Sequence, residues 1–528
     1  MKFPGGQTPL LAALWLAVVL SSLMTRPLFP VDETRYLAVA WEMWQRHDFL
    51  VPWLNGQAYS DKPPLLFWLM QLVWSVTDVN AWSARLVAPL LSLCALLLVR
   101  RLAAVLWPDA DPAVGRCAVW LTFASLFWLV FLPLVQFDLL LVNAVLAAWI
   151  GLLRAPARPL SGWSLTGVAL GVGILAKGPV TLLFLLPPML LAPLWLDQDA
   201  SASRGRWYGG GLLSVALGAV IALAWAIPAG EAGGAAYRAA IFWHQSAGRV
   251  VNAFAHRNPW WSYGWMLPVL CLPWLAWPRL WQAVRRRLER TGGERFIATA
   301  VLPTLLVFSA LSGKQVKYLL PLLPLLALWL AWRASPRAAS VNPSDRWFLT
   351  GLPVAAAVSI LALPAFAARA AWLAAVNPLW SLPLLAVALA CAVAQPQGFE
   401  ASARALAMVS VAVVVMLNLA IARPARASFD LSVFSRRVAG LQEQGVPVAY
   451  LGRYQGQFHF LGRLREPVVS LTTPQARDAW IAVHPQGYLA EYRRSGGTPV
   501  PDGLFAQPLR SGQLVLWPAG GYLAQNAQ

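Results

Sequence analysis

Long, unbroken apolar runs constrain this chain more than any other feature. They lie near 8–24, 84–106, 113–133, 138–154, 163–177, 179–196, 208–229, 261–281, 296–312, 317–334, 348–369, 372–394 and 403–422. About 20 helical residues cross the hydrocarbon core of a bilayer. A membrane β-barrel is built from alternating segments of about ten residues, so continuous runs exclude it. The implied fold is therefore an all-α polytopic membrane protein with about 13 transmembrane helices. Only 12% of the chain is charged and 59% is hydrophobic, so each ionisable side chain next to an apolar run carries information.

The net charge of +19 raises the question of nucleic acid. The arginines answer it, because they fall in short loops between apolar runs. With the N-terminus in the cytoplasm, the inside loops hold Arg100, Arg101 and Arg116, then Arg154 and Arg158, then Arg204 and Arg206. Further along they hold Arg279, Arg285, Arg286, Arg287, Arg290, Arg295, Arg333, Arg337 and Arg346. That is the positive-inside pattern, and it implicates membrane lipids rather than nucleic acid as the partner. An odd number of spans puts the C-terminus outside. Lys2 precedes an apolar run as in a signal peptide, but the run ends Met24-Thr25-Arg26-Pro27 with no small-residue cleavage site, so an uncleaved first helix is expected. Cys94, Cys117, Cys271 and Cys391 lie in apolar runs and read as buried free thiols, without zinc spacing.

Two outside loops are long. Residues 26–83 contain an amphipathic helix near 32–47 and a Trp-rich stretch, Pro63 to Val76, suited to the interface. Residues 230–260 carry Tyr237, Arg238, His244, Arg249, His256 and Arg257. From about residue 423 the chain becomes soluble in character. Val446–Leu451, Gln457–Leu461, Pro467–Leu471 and Gln513–Trp517 read as strands, and Thr473–Val483 as a helix. The division is a transmembrane catalytic domain over 1–422 and a small α/β domain over 423–528.

Charged residues at the outer ends of the apolar runs are the candidates for chemistry. Asp32, Arg35 and Tyr36 share one helical face, and the bland alternative is that Asp32 is a helix N-cap. Tyr59, Asp61 and Lys62 precede a Pro-Pro pair that holds Lys62 in an extended backbone, where a compact cation suits a phosphate oxygen. Snorkelling is its alternative. Asp138 sits between two apolar runs, again as a site acid or a cap. Lys177, Lys314 and Lys317, with Tyr318, lie at outside turns where basic residues need a reason, and anion binding is one. Arg249 reads as a phosphate clamp. His244 is more often structural, although with Asp61 it offers two ligands for a possible zinc ion. No Walker loop, GxGxxG or HExxH occurs, so no nucleotide cofactor is implied.

Several segments together resemble a known family. They are Asp32-Glu33-Thr34-Arg35-Tyr36, Val51-Pro52-Trp53-Leu54-Asn55-Gly56, Tyr59, Lys62-Pro63-Pro64-Leu65 and Ser83-Ala84-Arg85-Leu86. Asp138, Ala176-Lys177-Gly178-Pro179, His244 with Arg249, and Lys317-Tyr318-Leu319-Leu320-Pro321 extend the likeness. The chain resembles the bacterial lipid A aminoarabinose transferases, GT-C glycosyltransferases related to protein O-mannosyltransferases. The resemblance implies 13 helices, an active site on the periplasmic face of the inner membrane and a periplasmic C-terminal domain. It implies an undecaprenyl-phosphate-linked 4-amino-4-deoxy-L-arabinose donor and a lipid A phosphate as acceptor. Asp61 stands where the family leads one to expect Glu.

In such a transfer the leaving phosphate gathers negative charge, which fixed cations stabilise. Lys62, Arg249 and Lys177 are the candidates. Asp32 would orient groups or steady the cationic sugar, or act as a general base if the acceptor were a hydroxyl. Two alternatives remain at this stage. One is transfer to a protein hydroxyl or another envelope glycan. The other is a lipid-linked-sugar transporter or flippase, which would place charges at the midplane rather than at helix ends.

Overall fold

The computed structural model describes residues 7–196, 204–243, 258–285, 291–334, 343–394, 396–494 and 504–526. Among them, eight helices are long and apolar enough to cross a membrane, so this is a multi-pass membrane protein. The first elements are α1 (Gln7–Thr25), α2 (Asp32–Arg46), β1 (Trp53–Leu54), β2 (Gln57–Ala58), α3 (Leu65–Thr77) and α4 (Ala81–Leu106). They continue with α5 (Ala113–Ala124), α6 (Leu126–Phe131), α7 (Asp138–Arg154), α8 (Pro159–Lys177), α9 (Thr181–Leu190) and α10 (Arg204–Ala232). Leu212, Leu213 and Val220 on α10 are exposed, as side chains facing hydrocarbon must be.

Several expected spans are broken. The run 113–133 divides at Ser125, between α5 and α6. The Ser125 hydroxyl accepts from Trp128 N at 3.3 Å and donates to Leu270 O at 3.0 Å, while Leu126 N donates to Leu272 O at 3.0 Å. Backbone groups freed by the break thus find partners in protein, the condition for irregular backbone at membrane depth. The run 261–281 is not one helix. Pro268 and Pro273 help divide it into Tyr263–Leu270, a turn at Trp274–Ala276 and the start of Pro278–Arg285. The segments 348–369 and 372–394 likewise end or begin in 3₁₀ turns. Cys117 and Cys271 are buried, but Cys391 is only partly so and Cys94 is exposed on an apolar helix, which corrects the expectation of four buried thiols.

α7 and α8 run antiparallel in close contact, and glycine permits it. A Cβ at Gly162 would lie 2.5 Å from Ala155 Cα, and one at Gly151 2.6 Å from Thr166 Oγ1. Small residues at such crossings let two backbones approach within van der Waals range. The antiparallel course brings the first residue of α7, Asp138, beside the last of α8, Lys177.

The C-terminal unit holds a five-stranded sheet in the order β4-β3-β5-β7-β6, with β3 (Val448–Leu451), β4 (Val469–Leu471), β5 (Tyr488–Arg494), β6 (Phe505–Leu509) and β7 (Gly512–Pro518). β3 pairs in parallel with β4 and β5, and β7 pairs antiparallel with β5 and β6. The helix Pro474–Val483 forms where expected, with the Thr473 hydroxyl capping Ala476 N. Gln457–Leu461 is not a strand. It enters the short helix His459–Gly462, because Gly456 at φ +73° turns the chain and no strand lies beside it to pair. β5, β6 and the helix Ser432–Glu443 are elements that the sequence patterning did not reveal.

This unit is docked on the first long loop. Asn55 Nδ2 donates to Val468 O at 2.9 Å and Asn55 Oδ1 accepts from Val468 N at 2.8 Å. Arg463 Nη2 donates to Val79 O at 3.0 Å, and Trp74 stacks on Phe460 with ring centres 5.6 Å apart.

At the other end of the bundle, Asp345 is buried under a stack of aromatic rings. It accepts from Arg279 Nε at 2.7 Å, Trp277 Nε1 at 3.0 Å and Ser402 Oγ at 2.5 Å. Removing one partner of a buried pair leaves an uncompensated charge. Arg279→Met should therefore destabilise the protein by about 3 kcal/mol, read as a lower thermal midpoint in detergent. Adding Asp345→Asn should restore most of the loss, since the neutral amide keeps an oxygen to accept from Trp277 and turns an NH2 to the Ser402 hydroxyl, which can still donate to Gly398 O. No rescue by the double variant would show that packing, not charge, sets the loss.

Candidate active site

Asp32 is the first residue of α2, and its carboxylate is not a cap. The cap position belongs to Val31, which makes no side-chain capping bond. Asp32 Oδ1 instead accepts from Arg35 Nη2 at 2.7 Å, one helical turn on, and Oδ2 lies 3.8 Å from Lys317 Nζ and 3.5 Å from Gln136 Nε2. Its side chain is 43% exposed, so the carboxylate sits between cations and still reaches solvent.

Asp138 also departs from the cap alternative. Phe137 occupies the cap position without a side-chain bond, and the Asp138 carboxylate receives Lys177 Nζ at 2.5 Å. Asp138 is almost wholly buried and Lys177 nearly so. Gly178, at φ +82°, ends α8 and returns its N–H to Ile174 O at 2.7 Å, which leaves Lys177 in the last turn, favourable for a cation at a helix C-terminus. Asp138 in the first turn of α7 is the complementary case.

The two carboxylates belong to one cluster. Lys177 Nζ lies over the Tyr318 ring, 5.1 Å from its centre, and the neighbouring Lys317 faces Asp32. The Tyr36 ring packs edge-on against Phe137 at 4.9 Å, and Phe137 precedes Asp138. Tyr36 and Tyr59 are buried in this cluster, and Tyr59 packs edge-on against Phe67 at 6.3 Å. Burial, with Asp32 next, pushes the Tyr36 phenol well above its usual range, so it stays neutral. Burial pulls the Arg35 guanidinium down, but Tyr59, Tyr36 and Asp32 outweigh it and raise the group above its ordinary value, so Arg35 is a permanent cation.

Other candidates have different places. Lys62 Nζ donates to the Asp61 carbonyl at 3.2 Å. Lys314 turns inward, to the carbonyls of Asn258, at 3.1 Å, and Leu311, so it braces a turn. His244 and Arg249 lie outside the described residues. Among the described residues no three His, Cys, Asp or Glu side chains converge on a point, and His244, the other suggested zinc ligand, lies outside them. Zinc enters no step below.

Sequence reasoning placed Glu33 beside Asp32 in the charged cluster but assigned it no role. Glu33 is buried in an ion pair with Arg26. Glu33 Oε1 accepts from Val135 N at 2.8 Å and Oε2 from Phe29 N at 2.9 Å, while Arg26 Nη2 donates to Pro133 O at 2.7 Å. This clasp ties the end of α1 and the start of α2 to the turn that leads into Asp138. The acid beside Asp32 was visible in the sequence, but its bond to Val135, 102 residues on, was not. Gln136 and Gln455 were missed for the same reason.

The fold and these charges define a class: a multi-pass membrane protein with a cluster of acids and cations at one set of helix ends. Residues 61–225 match the family described as dolichyl-phosphate-mannose-protein mannosyltransferase, a stretch that includes Lys62, Asp138 and Lys177. The chain is 31% identical over 301 residues to the undecaprenyl phosphate-alpha-4-amino-4-deoxy-L-arabinose arabinosyl transferase of Pseudomonas paraeruginosa, covering 55% of this chain and 52% of that one. It thus spans about half the length of the curated relatives it matches. The crystal structure of ArnT from Cupriavidus metallidurans, bound to undecaprenyl phosphate, superposes with a TM-score of 0.72 at 19% identity, over 97% of this chain and 98% of that one. The Archaeoglobus fulgidus oligosaccharyltransferase gives 0.51 at 13% identity, over 91% of this chain and 69% of that one. These structures share the fold. The likeness to the aminoarabinose transferases read from the first-loop residues is found again in the relatives' names.

A buried histidine stands beside the site, in the C-terminal unit. His459 Nδ1 is 2.8 Å from the Tyr454 hydroxyl, and burial lowers its imidazole to about 4. The unfolded chain binds that proton near pH 6.5 and the folded chain only near 4. The folded state should therefore be fully stable above pH 6.5 and lose up to about 3 kcal/mol as the pH falls to 4. His459→Gln should flatten that limb of a plot of thermal midpoint against pH. An unchanged limb would assign the acid loss to other groups.

Proposed function

We propose that this protein is an integral-membrane glycosyltransferase that moves 4-amino-4-deoxy-L-arabinose from undecaprenyl phosphate to a phosphate of lipid A, on the periplasmic face of the bacterial inner membrane. The observation that carries this reading is the half-exposed Asp32 carboxylate between Arg35 and Lys317, beside the buried Asp138–Lys177 pair. A carboxylate suits the sugar's amine and the positive charge that develops at its anomeric carbon. The cations suit the two phosphates. The named relatives and the structure crystallised with undecaprenyl phosphate support the choice of donor.

In the reaction an acceptor phosphate oxygen attacks the anomeric carbon. The bond from that carbon to the undecaprenyl phosphate oxygen breaks, and its electron pair leaves with the phosphate. A phosphate acceptor is already ionised near neutral pH, so no general base is needed. Lys317, Lys177 and Lys62 stabilise the leaving phosphate, with Arg249 as a further clamp, while Asp32 steadies the sugar. Asp138 holds Lys177 in place, and Tyr36, Tyr59 and Tyr318 wall the pocket.

The topology follows from the same reading. The eight long helices and five shorter or broken apolar segments, at 113–131, 138–154, 181–196, 263–281 and 372–393, make 13 crossings. Residues 1–422 are then the transmembrane catalytic domain, and 423–528, with loops 26–83 and 230–260, are periplasmic. A cytoplasmic reporter signal from a fusion at Gln528 would overturn this topology.

Purified full-length protein supplied with the donor and lipid A should give aminoarabinosylated lipid A by mass spectrometry. Lys62→Ala and Lys177→Met should each lower turnover on the order of 100-fold, about 3 kcal/mol of transition-state stabilisation. Asp32→Asn, which keeps its size, should lower it at least about tenfold with little change in thermal midpoint. Wild-type turnover in all three variants would move the active site elsewhere.

A further inference from the structure

Arg35 is held from two sides. Its Nη2 donates to Asp32 Oδ1 at 2.7 Å, and its Nη1 donates to Gln455 Oε1 at 2.6 Å. Gln455 lies 420 residues downstream, on the turn after β3 in the C-terminal unit. We propose that Gln455 is a positioning residue of the transfer site, which sets Arg35, and through it Asp32, in the orientation that meets the sugar and the phosphate. This assignment rests on the function proposed above.

The turn that carries Gln455 is built to hold it. Gln455 N donates to Gln457 Oε1 at 3.0 Å, and Tyr454 N to Ser470 Oγ at 3.1 Å. The buried Tyr454 hydroxyl accepts from Phe458 N at 3.1 Å and meets His459 Nδ1 at 2.8 Å. Gly456, at φ +73°, lies so close to the first loop that a Cβ there would stand 2.4 Å from Leu54 Cδ1. A non-glycine residue would meet both the strained backbone and that contact. The bonds of Asn55 with Val468 and of Arg463 with Val79 clamp the unit on either side. The turn is therefore pressed onto the loop that bears Arg35, and the C-terminal unit completes the site.

The choice of amide has an electrostatic meaning. Asp32 carries one negative charge, and Arg35 and Lys317 one positive charge each. A neutral acceptor at 455 orients the guanidinium without cancelling the cluster's excess positive charge. A glutamate would orient it and cancel that excess. Orientation and charge can therefore be separated by two substitutions of nearly the same size.

Gln455→Met removes the acceptor. In full-length protein it should lower kcat about tenfold, with an unchanged thermal midpoint, because a guanidinium free to rotate no longer fixes Asp32. Gln455→Glu keeps the acceptor. It should hold kcat within about twofold of wild type and raise KM for the undecaprenyl phosphate donor several-fold, by opposing its charge. Wild-type kcat and KM in the Met variant would overturn the assignment, and so would a kcat loss matched by an equal loss of folded protein. A wild-type protein that does not turn the donor over would instead sink the proposed function. The assignment would then be judged on binding of undecaprenyl phosphate alone: weaker binding by Gln455→Glu supports it, and equal affinity overturns it.

Discussion

The buried pair of Arg26 with Glu33 is the interaction on which the site depends. Glu33 is 1% exposed, yet it is paired with Arg26 and hydrogen-bonded to two backbone N–H groups. A carboxylate taken out of water is expensive unless its lone pairs are filled, and here the fillers come from the segment 26–29 and from the turn at Val135. The end of α1, the start of α2 and the turn before α7 are joined by one side chain. Because Asp32 precedes Glu33 and Asp138 follows Val135 by three residues, fixing those three pieces fixes the two acids relative to each other.

The remaining geometry comes from helix packing. Glycines at 151 and 162 let α7 and α8 touch along their backbones, and antiparallel packing then places a first-turn acid opposite a last-turn lysine. Each group also sits at the favourable end of its helix dipole. The Asp138–Lys177 pair is buried, and Lys177 in turn lies over Tyr318. The exposed Asp32 and the buried Asp138 thus differ in access while sharing neighbours, as a site needs if one carboxylate meets the substrate and the other holds a cation ready.

The C-terminal unit takes part in this arrangement. It bonds to the first loop through Asn55, Val79 and the stacked Trp74, and it offers Gln455 to Arg35. Its five-stranded sheet supplies a rigid frame, and the turn after β3 carries the contact. A site that spans two parts of a chain in this way is formed only when both are folded and docked.

Apolar runs, arginine-rich loops and charges at helix ends were legible in the sequence because each is a local consequence of the bilayer: a span needs about 20 apolar residues, and an ion beside it needs a reason. α2, the spans near 81–106 and 292–310, and the helix at Pro474–Val483 follow from periodicity and capping over a few residues. The breaks at Ser125 and between Tyr263 and Pro278 were not legible, since a break is tolerated only where neighbouring segments satisfy the freed backbone groups. The helix at His459 competes with a strand reading over five residues, and the absence of a pairing strand decided it. Above all, the sequence marked Asp32 and Asp138 as acids near the membrane but left each as a cap or a site residue. Tertiary structure removed the cap reading for both and supplied their partners, because Arg35, Lys317, Lys177 and Gln455 are brought together by packing across up to 420 residues of chain, a distance over which no local pattern in the sequence carries information.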